Sequence, residues 1–235
     1  RLTWYYQQIL KLSFLINFIE KNKKNMTIWD ADTILLKKLE FNNKKFTNYF
    51  GTTSEFHKAY YVTNEQILGH LPKYFISSLA QFVSASPSEI DFLVKNLRQK
   101  QKKNKKTSIW LTKIIMSSIA KVHDRYNGSM FSEYELIGQS NLIFNYKKQI
   151  LVSGIRDNLS GRLSNIQIVI LKILGFKYIA YEHARANIYS KNMLNQKQPW
   201  GKFIYILLKK ISNNFFRGLK HHISFFFKLS SKKIR

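Results

Sequence analysis

The feature that most limits what this chain can form is its charge: 39 Lys and Arg residues against 13 Asp and Glu, a net charge of +26. A folded domain with this excess repels itself unless a polyanion neutralises it. Hydrophobic residues make up 45% of the 235 positions, so the chain can bury a core and is not expected to be disordered. The composition therefore predicts a folded protein that binds nucleic acid or an anionic membrane surface.

The shortage of arginine makes each arginine informative. Only eight of the 39 cations are arginine, while Ile, Asn, Phe and Tyr are abundant and there are nine Gly and three Pro. This composition is typical of a very AT-rich gene, as found in organelles, and such a bias favours lysine codons. The planar guanidinium group can hold a phosphate through two hydrogen bonds, which lysine cannot do. The retained arginines are therefore the first candidates for phosphate contacts.

Catalytic and metal-binding patterns are absent from the sequence. Without cysteine the chain has no disulfides, zinc fingers or thiol catalysis. The close carboxylate pairs, Asp30 with Asp32 and Glu133 with Glu135, are most simply explained as local charge balance. Neither GxxxxGK[ST] nor GxGxxG occurs. We therefore predict a protein that is not an enzyme and has no metal, no cofactor and no small-molecule substrate.

Helix patterns dominate the N-terminal half. Ser86-Pro87-Ser88-Glu89 combines an N-cap serine, proline at the first helical position and glutamate three residues after the cap, followed by an i, i+3, i+4, i+7 apolar stripe. A capping-box pattern at Thr63 predicts a further helix, kinked or restarted at Pro72 and running to about residue 83. Two more helices are predicted over residues 4–20 and 108–125, and residues 41–61 are expected to be irregular.

The C-terminal half has a different pattern. Residues 150–155, 178–188 and 203–208 are rich in β-branched and aromatic side chains and predict strands, while residues 164–174 predict a helix that ends before Gly175. We therefore predict an α+β fold, with a helical N-terminal half followed by a small mixed β-sheet backed by helices. The expected units are a helical extension or diverged region over residues 1–106, an α+β domain over 107–210 and a basic aromatic tail over 211–235.

The distribution of the cations favours RNA over a membrane as the partner. A membrane-surface protein concentrates its cations on one helix or tail, whereas here they lie in nearly every segment and are interleaved with aromatic residues. Residues 98–106 have six cations in nine positions, which fits a solvated loop and direct phosphate contact equally well. The candidates in this run are Lys102, Lys103, Lys105 and Lys106.

Four short motifs in the C-terminal half carry a family resemblance. They are Gly154-Ile155-Arg156, Ser160-Gly161-Arg162-Leu163, Arg185-Ala186-Asn187-Ile188 and Gly201-Lys202 with the apolar run to Ile206. In this order they resemble the C-terminal domain of small-subunit ribosomal protein three, the universal S-three family. There a strand leads through the serine-glycine-arginine-leucine turn to a helix, a long strand and a last strand that opens with glycine and lysine. Ser164 and Asn165 replace two family glycines, and the GxxG turn of the family's N-terminal KH domain has no counterpart.

The resemblance implies a component of the small ribosomal subunit, in its head near the side where mRNA enters. It implies small-subunit rRNA, neighbouring ribosomal proteins and mRNA as partners, with the KH-type domain either supplied by a separate chain or diverged. The gene composition points to an organelle, and we expect the mitochondrial matrix, with a plastid as the alternative. The residues expected to contact RNA are Arg156, Arg162, Lys172, Lys177, Arg185 and Lys202, with Gly161 and Gly201 as turn-forming residues.

Other interpretations stay open at this point. The chain could be another organellar or lineage-specific ribosomal protein, or a basic intron maturase or homing endonuclease, although the acidic metal-binding motifs of those enzymes are missing. It could also bind membranes peripherally through its aromatic and basic tail. Arg162 could cap carbonyl groups of its own turn instead of contacting RNA.

Overall fold

The computed structural model describes residues 2–30, 33–39, 48–52, 57–70, 78, 81–99, 107–123, 128–145, 149–155, 159, 161–181 and 196–212. Within these ranges the chain forms seven helices and six strands, which confirms the predicted α+β class. In chain order they are α1 (Leu2–Asn22), β1 (Met26–Trp29), β2 (Thr33–Leu35), β3 (Asn48–Thr52), α2 (Lys58–Leu68), β4 (Phe82–Ala85), α3 (Pro87–Arg98), α4 (Thr107–His123), α5 (Glu133–Asn145), β5 (Gln149–Ile155), α6 (Asn165–Ile173), β6 (Tyr178–Ala180) and α7 (200–212).

The strands form one mixed sheet in the order β1-β4-β3-β5-β6-β2. Strand β5 runs parallel to both of its neighbours: its first five residues pair with β3 and its last two with β6. The other pairings are antiparallel. Four of the six strands come from the first 85 residues, ahead of the region where strands were expected. Both halves of the sequence therefore contribute to the sheet.

The sheet is strongly curved, because its two edge strands are neighbours in sequence. Strands β1 and β2 form opposite edges, yet Trp29 ends one and Thr33 begins the other. In a flat sheet, five strand spacings would separate these edges by about 24 Å. The four-residue step from Trp29 to Thr33 spans at most about 14 Å. The two edges must therefore approach each other.

An aromatic cluster occupies the concave side of this curved sheet. The Phe82 ring on β4 stacks on Trp29 at 4.9 Å between centroids and meets Tyr178 on β6 edge-to-face at 5.2 Å. Strands β4 and β6 are three positions apart in the sheet, which would separate them by about 14 Å if it were flat. Leu39 completes the cluster, and Phe82 and Tyr178 are fully buried.

We expect Gly154→Ala to destabilise the protein, because Gly154 on β5 leaves room for the Tyr178 ring. A Cβ at position 154 would lie 2.2 Å from two carbon atoms of that ring. Overpacking of this kind typically costs about 1–3 kcal/mol of unfolding free energy, which urea titration followed by circular dichroism measures. The control is Gly201→Ala in α7, where an added Cβ meets nothing within 4 Å. That change is expected to leave stability unchanged or raise it.

The main hydrophobic core lies between the helices and the end of the sheet formed by β1 and β4. Helices α1 to α5 contribute to it together with β1 and β4. Helix α5 is at its centre and is buried over residues 133–142, including polar side chains such as Glu135 and Gln139. A second core lies under α6 and α7 and includes Leu163, Leu171, Phe176, Ile179, Phe203 and Ile206.

Several local predictions are confirmed. Helices α1, α3 and α4 lie within two residues of their predicted ends, and β5 begins one residue before its predicted start. The capping box of α3 is formed as predicted, with the Ser86 backbone N–H donating to Glu89 Oε2 at 2.9 Å. Helix α6 also begins with a capping box, and Gly175 follows it with φ of 84°.

Two predictions in the first half are wrong. The helix expected to start at Thr63 begins at Lys58 and ends at Leu68, with Gly69 as its C-cap and Thr63 fully buried inside it. Its first turn and strand β3 lie in residues 41–61, which were expected to be irregular, and strand β4 replaces the expected end of that helix. Pro72 lies outside the described residues. Helix α5 was not predicted.

The prediction of a strand over residues 203–208 is also wrong, because this segment is part of helix α7. Phe203, Ile206 and Lys210 are buried at helical spacing, and the Phe203 N–H donates to the Pro199 carbonyl at 3.0 Å. Gly201 therefore lies within the first turn of a helix and does not form a turn between strands. The last strand implied by the family resemblance is absent from this position.

Candidate nucleic-acid interface

The turn that carries Arg162 is held by a second segment from later in the chain. Residues 161–164 lead into α6, and residues 196–198 lie alongside them just before α7. The Arg162 N–H donates to the Gln196 carbonyl at 2.8 Å, and the Gln198 N–H donates to the Arg162 carbonyl at 2.9 Å. These hydrogen bonds make Arg162 and Lys197 partners in a parallel β-bridge. We call residues 161–164 and 196–198 the Arg162 clamp.

Gly161 allows the two segments of the clamp to approach each other. A Cβ at this position would lie 2.5 Å from the Gln196 carbonyl oxygen and 2.9 Å from the carbonyl carbon of Lys197. The φ of Gly161 is not positive, so glycine is needed for the close backbone contact and not for a left-handed turn. The Gly161 N–H also donates to Gln198 Oε1 at 3.1 Å.

A side chain of α6 and the side chain of Tyr181, just after β6, fix the clamp further. Gln167, in the capping box of α6, donates from Nε2 to the Gln198 carbonyl at 3.1 Å. The Leu163 N–H donates to the Tyr181 hydroxyl at 3.3 Å. The backbone N–H, the carbonyl and the side-chain oxygen of Gln198 are thus all engaged. The backbone from which Arg162 and Lys197 project is therefore rigid.

The clamp belongs to a strongly basic part of the sequence, where the one carboxylate between residues 158 and 235 is Glu182. Arg162 and Lys197 are both exposed, and paired residues of neighbouring strands lie about 4.8 Å apart with their side chains on one side. Residues 161–181 and 196–212 contain no Asp or Glu, whereas the ion pairs Lys11–Glu133 and Arg98–Glu20 lie among the N-terminal helices and α5. The seven cations of these two ranges are Arg162, Lys172, Lys177, Lys197, Lys202, Lys209 and Lys210.

Arg162 is the one residue predicted to contact RNA that lies in the clamp. Lys172 and Lys202 are exposed, in the last turn of α6 and the first turn of α7, and Lys177 is half-buried ahead of β6. Lys197 was not predicted, because its position beside Arg162 depends on a pairing between residues 35 positions apart. Arg156, Arg185, Lys102, Lys103, Lys105 and Lys106 lie outside the described residues.

The buried charges of the helical part are used within the fold. Lys11 on α1 forms ion pairs with Asp30 and, at 3.3 Å, with Glu133 Oε1, and its Nζ lies 5.0 Å from the centre of the Tyr134 ring. Burial raises the pKa of Glu133, against the opposing effect of Lys11. Burial acts to lower the pKa of Lys11, but the charges of Glu133 and Asp30 outweigh it and raise that pKa. Lys11 therefore ties α1 to α5.

Comparisons with known proteins give no match for this chain among protein families, curated proteins or solved structures. Within the part that the structure describes, no helix is long and apolar enough to cross a membrane. The same residues contain no group of three or more His, Cys, Asp or Glu side chains that could hold a metal ion. The Arg162 clamp is thus interpreted from its own chemistry.

Proposed function

We propose that this chain is a non-enzymatic constituent of the small ribosomal subunit of an organelle, a mitochondrion in preference to a plastid. The observation that carries the proposal is the Arg162 clamp, which holds Arg162 and Lys197 side by side in a strongly basic part of the chain. The order of β5, the clamp, α6 and β6 follows the strand, turn, helix and strand of the S-three resemblance. Its position in the head, near where mRNA enters, is part of the same proposal.

The two side chains of the clamp suit different parts of a phosphate backbone. Arg162 can donate two parallel hydrogen bonds to one phosphate, while Lys197 supplies a compact charge for a neighbouring phosphate. Because hydrogen bonds already fix the backbone beneath them, binding orders little beyond the side chains. Each phosphate contact also releases condensed counterions, which makes the affinity depend on salt. Neighbouring ribosomal proteins, mRNA and a separate KH-type chain are the further partners of this proposal.

Sedimentation of organelle lysate, with and without ribonuclease, tests where the chain resides. We expect the chain to migrate with the small ribosomal subunit and to leave that fraction once the RNA is digested. Migration as a free protein, or with membranes after digestion, would contradict the proposal.

The clamp itself is tested by the double variant Arg162→Ala/Lys197→Ala. We expect the slope of log affinity against log salt to become shallower by about 1.4–1.8, since each phosphate contact contributes about 0.7–0.9. Fluorescence anisotropy with a labelled fragment of small-subunit rRNA measures the slope. The matched control is Lys113→Ala/Lys121→Ala, which removes two exposed charges from α4. An equal change in both variants would show that the clamp is no more than part of the general positive charge.

A further inference from the structure

An exposed tryptophan lies beside the Arg162 clamp. Trp200 is the first residue of α7 and is 47% exposed. It follows Lys197 by three residues, so their Cα atoms are at most about 11 Å apart. A cationic pair and a large aromatic face therefore lie within the reach of one short stretch of polymer.

The position of the Trp200 ring is defined by its surroundings. The ring meets Phe203 edge-to-face, with 5.7 Å between centroids and an interplanar angle of 88°. Phe203 is 1% exposed and belongs to the core beneath α6 and α7. On the other side, Pro199 has a restricted φ and Gln198 is fixed by its hydrogen bonds in the clamp. The indole is thus held in place while nearly half of it faces solvent.

We infer that the Arg162 clamp and Trp200 together bind single-stranded RNA, with one unpaired base stacked on the indole and adjacent phosphates on Arg162 and Lys197. This inference rests on the proposed function and specifies the form of RNA. A duplex offers the clamp its phosphates, but its bases are stacked on one another and cannot lie on an exposed ring. Aromatic side chains beside a basic groove are the usual means of holding unpaired nucleotides, because every base has a face that can stack.

The apolar face of α7 suggests a different partner for Trp200. Ile204 and Leu208 lie one and two turns further along the same side of the helix and are 49% and 62% exposed. If Trp200 served only to dock another protein, an aliphatic side chain of similar size would replace it. Stacking requires an aromatic ring, so the two roles respond differently to substitution.

The test uses the full chain at fixed salt, with two probes: a 12-nucleotide oligouridine and a blunt-ended RNA duplex that has no unpaired base. We expect Trp200→Ala to weaken oligouridine binding about tenfold, since stacking on one aromatic side chain is worth about 1–3 kcal/mol. Binding of the duplex should change less than twofold. Trp200→Phe should retain most of the oligouridine affinity, whereas Trp200→Leu should resemble Trp200→Ala. The control is Trp4→Ala on α1, where the side chain is 36% exposed and far from the clamp in sequence.

Each result separates the stacking site from the proposed function. Loss of affinity for oligouridine alone, with rescue by phenylalanine, supports stacking. Three results would overturn it: equal loss of affinity for both probes, unchanged oligouridine affinity in Trp200→Leu, or unchanged oligouridine affinity in Trp200→Ala. In those cases the proposed function stands only if Arg162→Ala/Lys197→Ala still weakens RNA binding more than its α4 control. If the unchanged chain binds neither probe, both proposals fail.

Discussion

Replacing Phe82 with alanine is expected to lower the free energy of unfolding by about 3–5 kcal/mol, the usual range for a fully buried phenylalanine. The ring is 0% exposed and contacts Trp29 on the paired strand β1 and Tyr178 on β6, three strand positions away. Its removal leaves a cavity between β4 and β6, which are not neighbours in the sheet. Urea unfolding monitored by far-ultraviolet circular dichroism measures the loss.

Phe14→Ala is the matched control for this change. Phe14 lies on α1, is 60% exposed and has one tilted ring contact with Phe18 at 6.3 Å. The same deletion there should cost at most about 0.5 kcal/mol, as for most surface substitutions. If the two variants lost similar stability, the aromatic cluster would not be what holds the concave side of the sheet together.

Lys11→Met is expected to cost about 3 kcal/mol near pH 7.5, because it leaves the buried Glu133 carboxylate without its counter-charge. Methionine keeps much of the volume of the lysine stem, so the loss reports on the charge more than on packing. The control is Lys113→Met on α4, an exposed lysine for which little change is expected.

The pH dependence of the Lys11→Met loss identifies its cause. Burial raises the pKa of folded Glu133 above its ordinary value of 4.5, and removal of Lys11 raises that pKa further. Between the unfolded and folded pKa values the native state binds more protons, so stability falls as the pH rises through this window. The deficit of Lys11→Met should therefore be largest at neutral pH and shrink as the pH falls towards 4.5. A deficit that is the same at pH 5 and 7.5 would point to packing instead.

The elements that were predicted correctly are those with local chemistry at their ends. Ser86 with Glu89 and Ser164 with Gln167 form capping boxes whose partners are three residues apart, so neighbouring sequence is sufficient to indicate them. The pattern at Thr63 resembled such a cap but lies inside α2, where tertiary packing buries it. A local capping pattern therefore does not by itself fix the residue at which a helix begins.

The elements that were missed owe their structure to distant contacts. Helix α5 is buried on all sides, and its buried residues include polar ones such as Glu135 and Gln139. Its apolar residues therefore do not repeat at the helical spacing by which an amphipathic helix is predicted. In α7 the continuous apolar run resembles a buried strand, although Phe203, Ile206 and Lys210 are buried at helical spacing. Strands β1 to β4 have three to five residues, too few to show a period of two.

The candidate site shows the same division between local and distant information. Arg162 was identified from the motif around it and from the scarcity of arginine. Lys197 and Trp200 were not, because the hydrogen bonds between residues 161–162 and 196–198 bring them close to Arg162 from 35 or more positions away in the sequence. Those bonds depend on Gly161, whose sequence neighbours do not reveal the backbone packed against it.

The strand order has a consequence for how the chain folds as it is synthesised. Thr33 of β2 pairs with Ala180 of β6, and Asn48 of β3 pairs with Gln149 of β5. Strands β2 and β3 therefore cannot form these pairings until more than a hundred further residues have been synthesised. Strands β1 and β4 with helices α1 and α3 can assemble earlier from local contacts. Loop closures of this length are slow, and the early strands remain open edges meanwhile. A nascent chain halted before Ala180 would therefore present an unfinished sheet to chaperones, and the sheet can close only after β6 has been synthesised.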